Sequence, residues 1–361
     1  LAANFPELGL NDRFRTLEPD IDNIAPRLGA TYDLTGGGNV ILRGGWGIYY
    51  DSIYDLYVRM VSLQNSIRPQ LSFLIPQPDF GPDSLPDFTE IYDPSGKGAD
   101  LFYPSPSLKT PFTYQSSIGV ALLFRKGMSL EVDYLNAIGR NELKQRNINF
   151  KTEDGRLLTD EYGNIIVLES IGTSRYDALL AQFVDRFSNS LTTRISYTLS
   201  RTRGSQDGYT TRPQDNLKPL AWVEYGPTRH DATHSLNVSV LTKLLGSFEL
   251  NSFMLLESPR PYTVLTGVDE NGDGLTNDMP PGVHRNSERG DWTFQWDVRV
   301  SKFFKTGRWG QTELLVDFLN ITDTDNFGNF YFNNLTSDNF KEPTKVFTPP
   351  RHVQIGLRHT F

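Results

Sequence analysis

The feature that most constrains this chain is a rhythm of two near its end. Residues 292–301 read WTFQWDVRVS. Trp292, Phe294, Trp296, Val298 and Val300 alternate with Thr293, Gln295, Asp297, Arg299 and Ser301. Successive side chains of a strand point to opposite sides, so this segment is a ribbon with one apolar and one polar face. The last eleven residues, RHVQIGLRHTF, repeat the pattern. There Val353, Ile355, Leu357 and Phe361 alternate with Gln354, Gly356, Arg358 and Thr360.

Composition narrows the classes. The chain has 361 residues with 30 Gly and 22 Pro, which suits many strands joined by loops. It has no Cys, so neither a disulfide framework nor a thiolate metal site is available. A net charge of −8 opposes nucleic acid as a partner, because phosphate binding needs a basic surface. No apolar run reaches the roughly 20 residues of a spanning helix, and mean hydropathy is −0.41. A spanning barrel remains open, because only every second residue of its strands meets lipid. No signal peptide is visible. The opening, LAANFPELGLNDRFRTLEPD, reads as part of a longer precursor, and residues 1–22 read as a lead-in to a barrel over 23–361.

Taken in order, the same period predicts strands at 23–34, 40–50, 112–124, 128–137, 174–187, 191–203, 232–243, 247–266, 291–305, 311–321 and 351–361. Short turns fall at 35–39, 125–127, 188–190, 244–246 and 306–310. Long loops fall at 51–111, 138–173, 204–231, 267–290 and 322–350. Pro259 and Pro261 interrupt the eighth strand, which predicts a bulge or rim position. Short turns alternate strictly with long loops. Outer-membrane barrels sort their connections this way, with short turns in the periplasm and long loops outside. Soluble sandwiches do not. The fold class predicted is all-β, an antiparallel transmembrane β-barrel of about eleven strands located in the bacterial outer membrane.

Several stretches carry a family resemblance in order along the chain. They are NIAPRLGATYDLTGGGNVILRGGWGIYYD (23–51), KQRNIN (144–149), SRYDALLAQFVDRFSNSLTTRISYTLSRT (174–202), RHDATHSLNVSV (229–240), SPRPYTVLTG (258–267), DENGDGLTNDMP (269–280), ELLVDFLNITDTDNFG (313–328) and PPRHVQIGLRHTF. This set resembles the C-terminal barrel half of TonB-dependent receptors, especially the Oar-like group. The resemblance implies a barrel of 22 strands filled by an N-terminal plug and energised through a TonB box. Eleven strands correspond to its last half, so the resemblance implies a first half and plug supplied from elsewhere, TonB as a partner through that region, and a role in ligand capture and uptake. The same barrel also serves structural or adhesive surface proteins whose loops grip other envelope proteins. Phe361 resembles the terminal aromatic read during barrel assembly.

Candidate chemistry is sparse. Asp269, Asn271, Asp273 and Gly274 match the start of an oxygen-ligand calcium loop, with Asn277 or Asp278 available to complete it. Pro280 stands where that loop's closing Glu belongs, and Asp, Asn and Gly favour plain turns as well. His230 and His234 share a helical spacing, but on a strand they lie about 13 Å apart and read as rim or lumen residues. His284, His352 and His359 have no ligand-like company. No acid–base pair, GxSxG, HExxH or P-loop occurs, so no enzyme is predicted. Gly36–Gly38 is a turn, since no helix follows it. Glu131, Asp133, Arg194, Asp297, Arg299, Asp317 and Arg358 are expected on the inner wall as a solvated ion-pair network. Trp292, Trp296, Tyr134, Tyr197 and Phe303 are expected at the membrane interfaces as aromatic girdles.

Overall fold

The computed structural model describes residues 20–52, 101–105, 107–150, 163–188, 190–208, 210–305 and 307–361. Within them the strands run β1 Arg27–Asp33, β2 Val40–Tyr50, β3 Leu101–Pro104, β4 Phe112–Arg125 and β5 Met128–Asn147. They continue with β6 Ile165–Ser188, β7 Leu191–Gly204, β8 Gly226–Pro227, β9 His234–Leu244 and β10 Phe248–Glu257. The last are β11 Pro261–Tyr262, β12 Glu288–Arg289, β13 Thr293–Lys305, β14 Gln311–Leu319 and β15 His352–Thr360. The wall follows the path β1-β2-β4-β5-β6-β7-β9-β10-β13-β14-β15, eleven strands each antiparallel to the next. Each wall strand pairs with the next wall strand along the chain, as predicted, and β3, β8, β11 and β12 lie in the loops between them.

The two faces of the wall differ in chemistry. One cross-strand row runs Tyr32, Leu42, Val120, Val132, Ala181, Tyr197 and Leu236 from β1 to β9. A second joins Leu250, Val300, Val316 and Ile355. No second layer covers these rows among the described residues, where the only other sheet is the pair β11–β12. Trp296 is 39% exposed and Ile355 is 75% exposed. A continuous apolar face of this extent is not tolerated in water, so hydrocarbon covers it.

The opposite face carries ions. Arg43 on β2 reaches across β4 to β5, donating from Nε and Nη2 to Asp133 at 2.8 and 2.6 Å and from Nη2 to Glu131 at 2.7 Å. The strand it crosses offers Gly119, which stands directly between Arg43 and Asp133. A Cβ there would overlap the Asp133 carboxylate. Gly119→Ala is therefore expected to break the fork and destabilise the wall by about 1–3 kcal/mol, the usual cost of overpacking. A lowered temperature for heat-modifiable mobility of the folded barrel would register it, and an unchanged temperature would refute it. Farther round, Arg299 pairs with Asp317 and Arg358 with Glu313. Asp297 accepts from Gln295 and from the Asn320 backbone. The predicted inner network thus exists as separate clusters rather than one.

Three boundaries differ from the sequence reading. The loop predicted at 138–173 is shorter, because β5 continues to Asn147 and β6 begins at Ile165. Register shifts at Gly139/Glu142 and Glu142/Leu143, with Asn141 at φ 55°, break the phase of the alternation there. The loop predicted at 51–111 holds β3, a strand parallel to β6. The rest of that loop from 53 to 100, and most of the 1–22 lead-in, lie outside the described residues. The eighth strand ends at Glu257, so Pro259 and Pro261 stand beyond the wall at its rim.

Candidate functional site

Among the described residues, the loop ends of the strands carry a dense set of buried polar contacts. β5 and β6 rise above the apolar rows and support two loop segments, 205–233 and 258–292. Small apolar clusters hold this region: Leu143 and Leu168 with Phe102 and Leu108, and Tyr262, Val264 and Tyr331 with Val283 and Phe340. Polar contacts dominate the remainder. Lys144 is fully buried, and its ammonium donates to the carbonyls of Ser205 (2.9 Å) and Pro219 (2.8 Å) and to Glu224 Oε2 (3.0 Å). Glu224 Oε1 accepts from the Gln214 backbone at 2.7 Å. Arg285 ties the second segment to the first: its Nε donates to the Glu224 carbonyl at 2.9 Å, its Nη2 to the Gly204 carbonyl, and its Nη1 pairs with Asp207 at 2.7 Å. Asn286 donates to Asp207 at 2.7 Å and to the Pro227 carbonyl at 2.9 Å. Two loops and one strand extension are thereby locked into a single cap.

Beside the cap, among inward-facing residues of the rim, lies an open pocket of about 610 Å³. Glu142, Ser174, Thr202, Gln206, Asp207 and His230 line it. Ser174 donates its hydroxyl proton to Glu142, and the Gln206 amide reaches the other Glu142 oxygen at 3.5 Å. Burial pushes the His230 pKa down, with the Arg229 and Arg260 charges adding to it. Both effects favour the uncharged imidazole.

Asp269, Asn271, Asp273 and Asp278 are brought together, but they close on their own loop. Asp269 accepts from the backbones of Gly272, Asp273 and Gly274 at 2.8 to 3.1 Å. Asp278 accepts from the Glu270 backbone at 2.7 Å and from the Asn271 amide at 2.8 Å. Asp273 accepts from Asn216 at 2.6 Å, and Asn216 in turn accepts from the Asn147 backbone at 2.9 Å. Among the described residues no three His, Asp or Glu side chains converge as a metal-holding group. Arranged this way, the four residues close a turn that pins loop 258–292 to loop 205–233. Asn277 adds to the pin through the Pro213 carbonyl at 3.0 Å.

Tyr134, Tyr197, Trp292 and Trp296 stand on the outer face. Tyr134 donates to Asp177 at 2.7 Å, and Trp296 donates to Ser252 at 2.9 Å. Tyr197, His234 and Trp292 form a stack, with ring centroids 6.2 and 6.5 Å apart, and the Tyr197 hydroxyl bonds His234 Nδ1 at 2.7 Å. His234 is thus a girdle residue at the rim, at the start of β9, whereas His230 sits in the turn before that strand and lines the pocket. Phe303 departs from the girdle expectation: it is out of phase with Trp296 along β13 and stands opposite Glu313, in the row of Arg358, so it lies on the ion-bearing face. Phe361 follows β15, fully exposed, its ring edge-on to His359 at 4.8 Å.

A tyrosine pair closes the far side of the cap. Tyr331 stacks on Tyr262 at 5.1 Å and donates to Asp291 Oδ2 at 2.9 Å. Burial, helped by that bond, pushes the Tyr331 phenol from 10.0 up to about 12. The sign follows: the stability this neutral phenol contributes is complete below pH 10.0 and is lost as pH rises through about 12. Ultraviolet titration should show a tyrosine ionising near the upper value together with loss of cap protection. Titration of all tyrosines as one ordinary class would contradict it.

Comparison with known proteins agrees with this architecture. The outer membrane beta barrel domain family matches residues 4–283. No curated protein matches the chain. Among solved structures, the outer membrane transporter YddB from Escherichia coli superposes with a TM-score of 0.65 at 13% identity, over 94% of this chain and 41% of its own. The ferric enterobactin receptor PfeA from Pseudomonas aeruginosa gives 0.55 at 11% identity, over 92% and 40%. The FrpB iron transporter from Neisseria meningitidis gives 0.53 at 10%, over 93% and 39%. The chain therefore spans about two-fifths of the length of these structures. With the family match covering most of its length and the wall built as described, this chain belongs to the outer membrane beta barrel domain family.

Proposed function

We propose that this chain is the loop-bearing wall of a TonB-dependent receptor that captures a solute outside the cell and passes it inward. The observation that carries this reading is the cap: buried ion pairs tie strand β5 and two long loops together beside an open pocket on the inner side of the rim. A purely structural barrel has no need of a shaped pocket at that level. The wall is open, since β1 and β15 each have one partner among the described strands. Unpaired backbone in lipid costs several kcal/mol per group, so further strands must close it. In this reading those strands, a plug and the TonB contact come from the rest of the receptor. The likeness to transporters and receptors at low identity supports the architecture; the uptake role is our reading. Cells carrying the whole protein should deplete at least one solute from a defined medium faster than cells lacking it, and a protonophore should stop the difference. Equal depletion by both strains, or depletion indifferent to the protonophore, would overturn it.

One observation favours a second reading. Leu217, Leu220 and Trp222 expose 67%, 53% and 63% of their surface on one stretch of the cap. An apolar patch at a loop apex suits capture of another protein. A photo-reactive residue at Trp222 that cross-links an envelope protein, without any solute depletion, would favour an adhesive role.

A further inference from the structure

Above the girdle, the outer face of the wall changes character within one row. The row Tyr134, Leu179, Leu199 is apolar. The next row toward the loops reads Asn136, Asp177, Arg201, and the one beyond it Ile138, Arg175, Arg203. Arg140 follows two residues after Ile138 on the same face of β5. Four guanidiniums and one carboxylate therefore sit side by side on three adjacent strands, roughly 7 Å to 20 Å beyond Tyr134 along the strand. They point away from the interior, because their strand neighbours of opposite parity, Asp133 and Leu180, face the inner wall.

Depth decides whether such a cluster is tolerable. An arginine facing lipid costs about 2–4 kcal/mol at the midplane and close to nothing at the interface. The cluster therefore lies at the headgroup level of the outer leaflet, above the tyrosines. Its internal pairing leaves charge over. Asp177 is taken by Arg175 at 2.7 Å, Asn136 at 2.7 Å and Tyr134 at 2.7 Å. Those bonds fix Arg175 with 56% of its side chain exposed. Arg201 stands directly across from Asp177 yet hydrogen-bonds to nothing among the described residues. Arg203 lies over the Tyr225 ring at 5.6 Å, and its Nε is buried with no partner. Arg140 meets only the Gly139 carbonyl.

From this we infer that Arg140, Arg175, Arg201 and Arg203 form a binding site for the phosphate groups of an outer-leaflet lipid headgroup. Guanidinium forks match phosphate oxygens two at a time, and a doubly phosphorylated headgroup matches the spread of the cluster over three strands. The lipid's chains then lie along the apolar rows below, so charge and grease are matched in one ligand. The site is independent of whatever the cap and pocket hold.

The test uses the whole protein extracted in detergent, with bisphosphorylated lipid A as the probe. Arg140→Gln, Arg201→Gln and Arg203→Gln together should lower retained lipid A by about tenfold, with heat-modifiable mobility showing the barrel still folded. The same three positions changed to Lys should retain an intermediate amount, since charge survives but the forks do not. Arg194→Gln, on the inner face, should leave retention unchanged. Undiminished retention in the triple Gln variant would overturn the assignment. So would an equal loss in Arg194→Gln, or displacement of the lipid by inorganic pyrophosphate at equal concentration, which would reduce the patch to a free-phosphate site.

Discussion

Lys144→Met is expected to release the cap while leaving the wall intact. The substitution removes an ammonium that is fully buried and leaves Glu224 Oε2, also buried, with no cation. Stranding one half of a buried ion pair costs about 3–5 kcal/mol. Two carbonyl acceptors, Ser205 and Pro219, lose their donor at the same time. Hydrogen exchange should therefore accelerate across 205–231 and in the facing segment around Arg285, while β7 and β9 keep their protection. The companion Lys144→Met, Glu224→Leu should recover much of the loss, because an apolar pair of similar volume needs no countercharge. Native exchange in the single variant would show that the pair does not hold the cap. Failure of the double variant to recover would place the stability in the carbonyl contacts instead.

The wall was readable from the sequence because its physics is local. Alternation in WTFQWDVRVS needs only neighbours two apart to be assigned a face, and the hairpins need only short turns. Lipid on one side and water on the other write that pattern on every strand. The register shifts after Gly139 erase it, so β5 looked as if it ended ten residues early. Contacts across sequence left no trace of that kind. Arg43 and Asp133 are 90 residues apart, Lys144 and Glu224 are 80 apart, and the gap at Gly119 that admits the first pair is a single glycine among many. The cluster at Asp269–Asp278 is a different case: its residue types were legible, but its bonds to backbone amides and to the other loop were not. Its partners on that loop, Asn216 and Gln214, are more than fifty residues away. His234 was read by spacing against His230, whereas its neighbours are Tyr197 on the adjoining strand and Trp292.

Gly226→Ala should damage the same cap by a different route, and the contrast separates charge from shape. Gly226 pairs with Gly204 where β8 meets β7, and the backbone of Arg285 lies against its other side. A Cβ at 226 would overlap the Arg285 carbonyl oxygen, with the carbonyl carbon at 3.1 Å. Neither side can give easily. The Arg285 backbone donates to the Val223 carbonyl at 3.0 Å, and its guanidinium is held by Glu224, Gly204 and Asp207. Overpacking alone costs about 1–3 kcal/mol, and here the displaced group is backbone and carries buried charge, which places the expected loss at about 3 kcal/mol or more. Proteases should then cut within 205–231 and near Arg285 in the folded barrel, at sites protected in the parent. Replacing Glu224 by Leu should bring no recovery, since no charge has been stranded. A Gly226→Ala protein with parental protease resistance would mean that the two loops are not packed backbone to backbone.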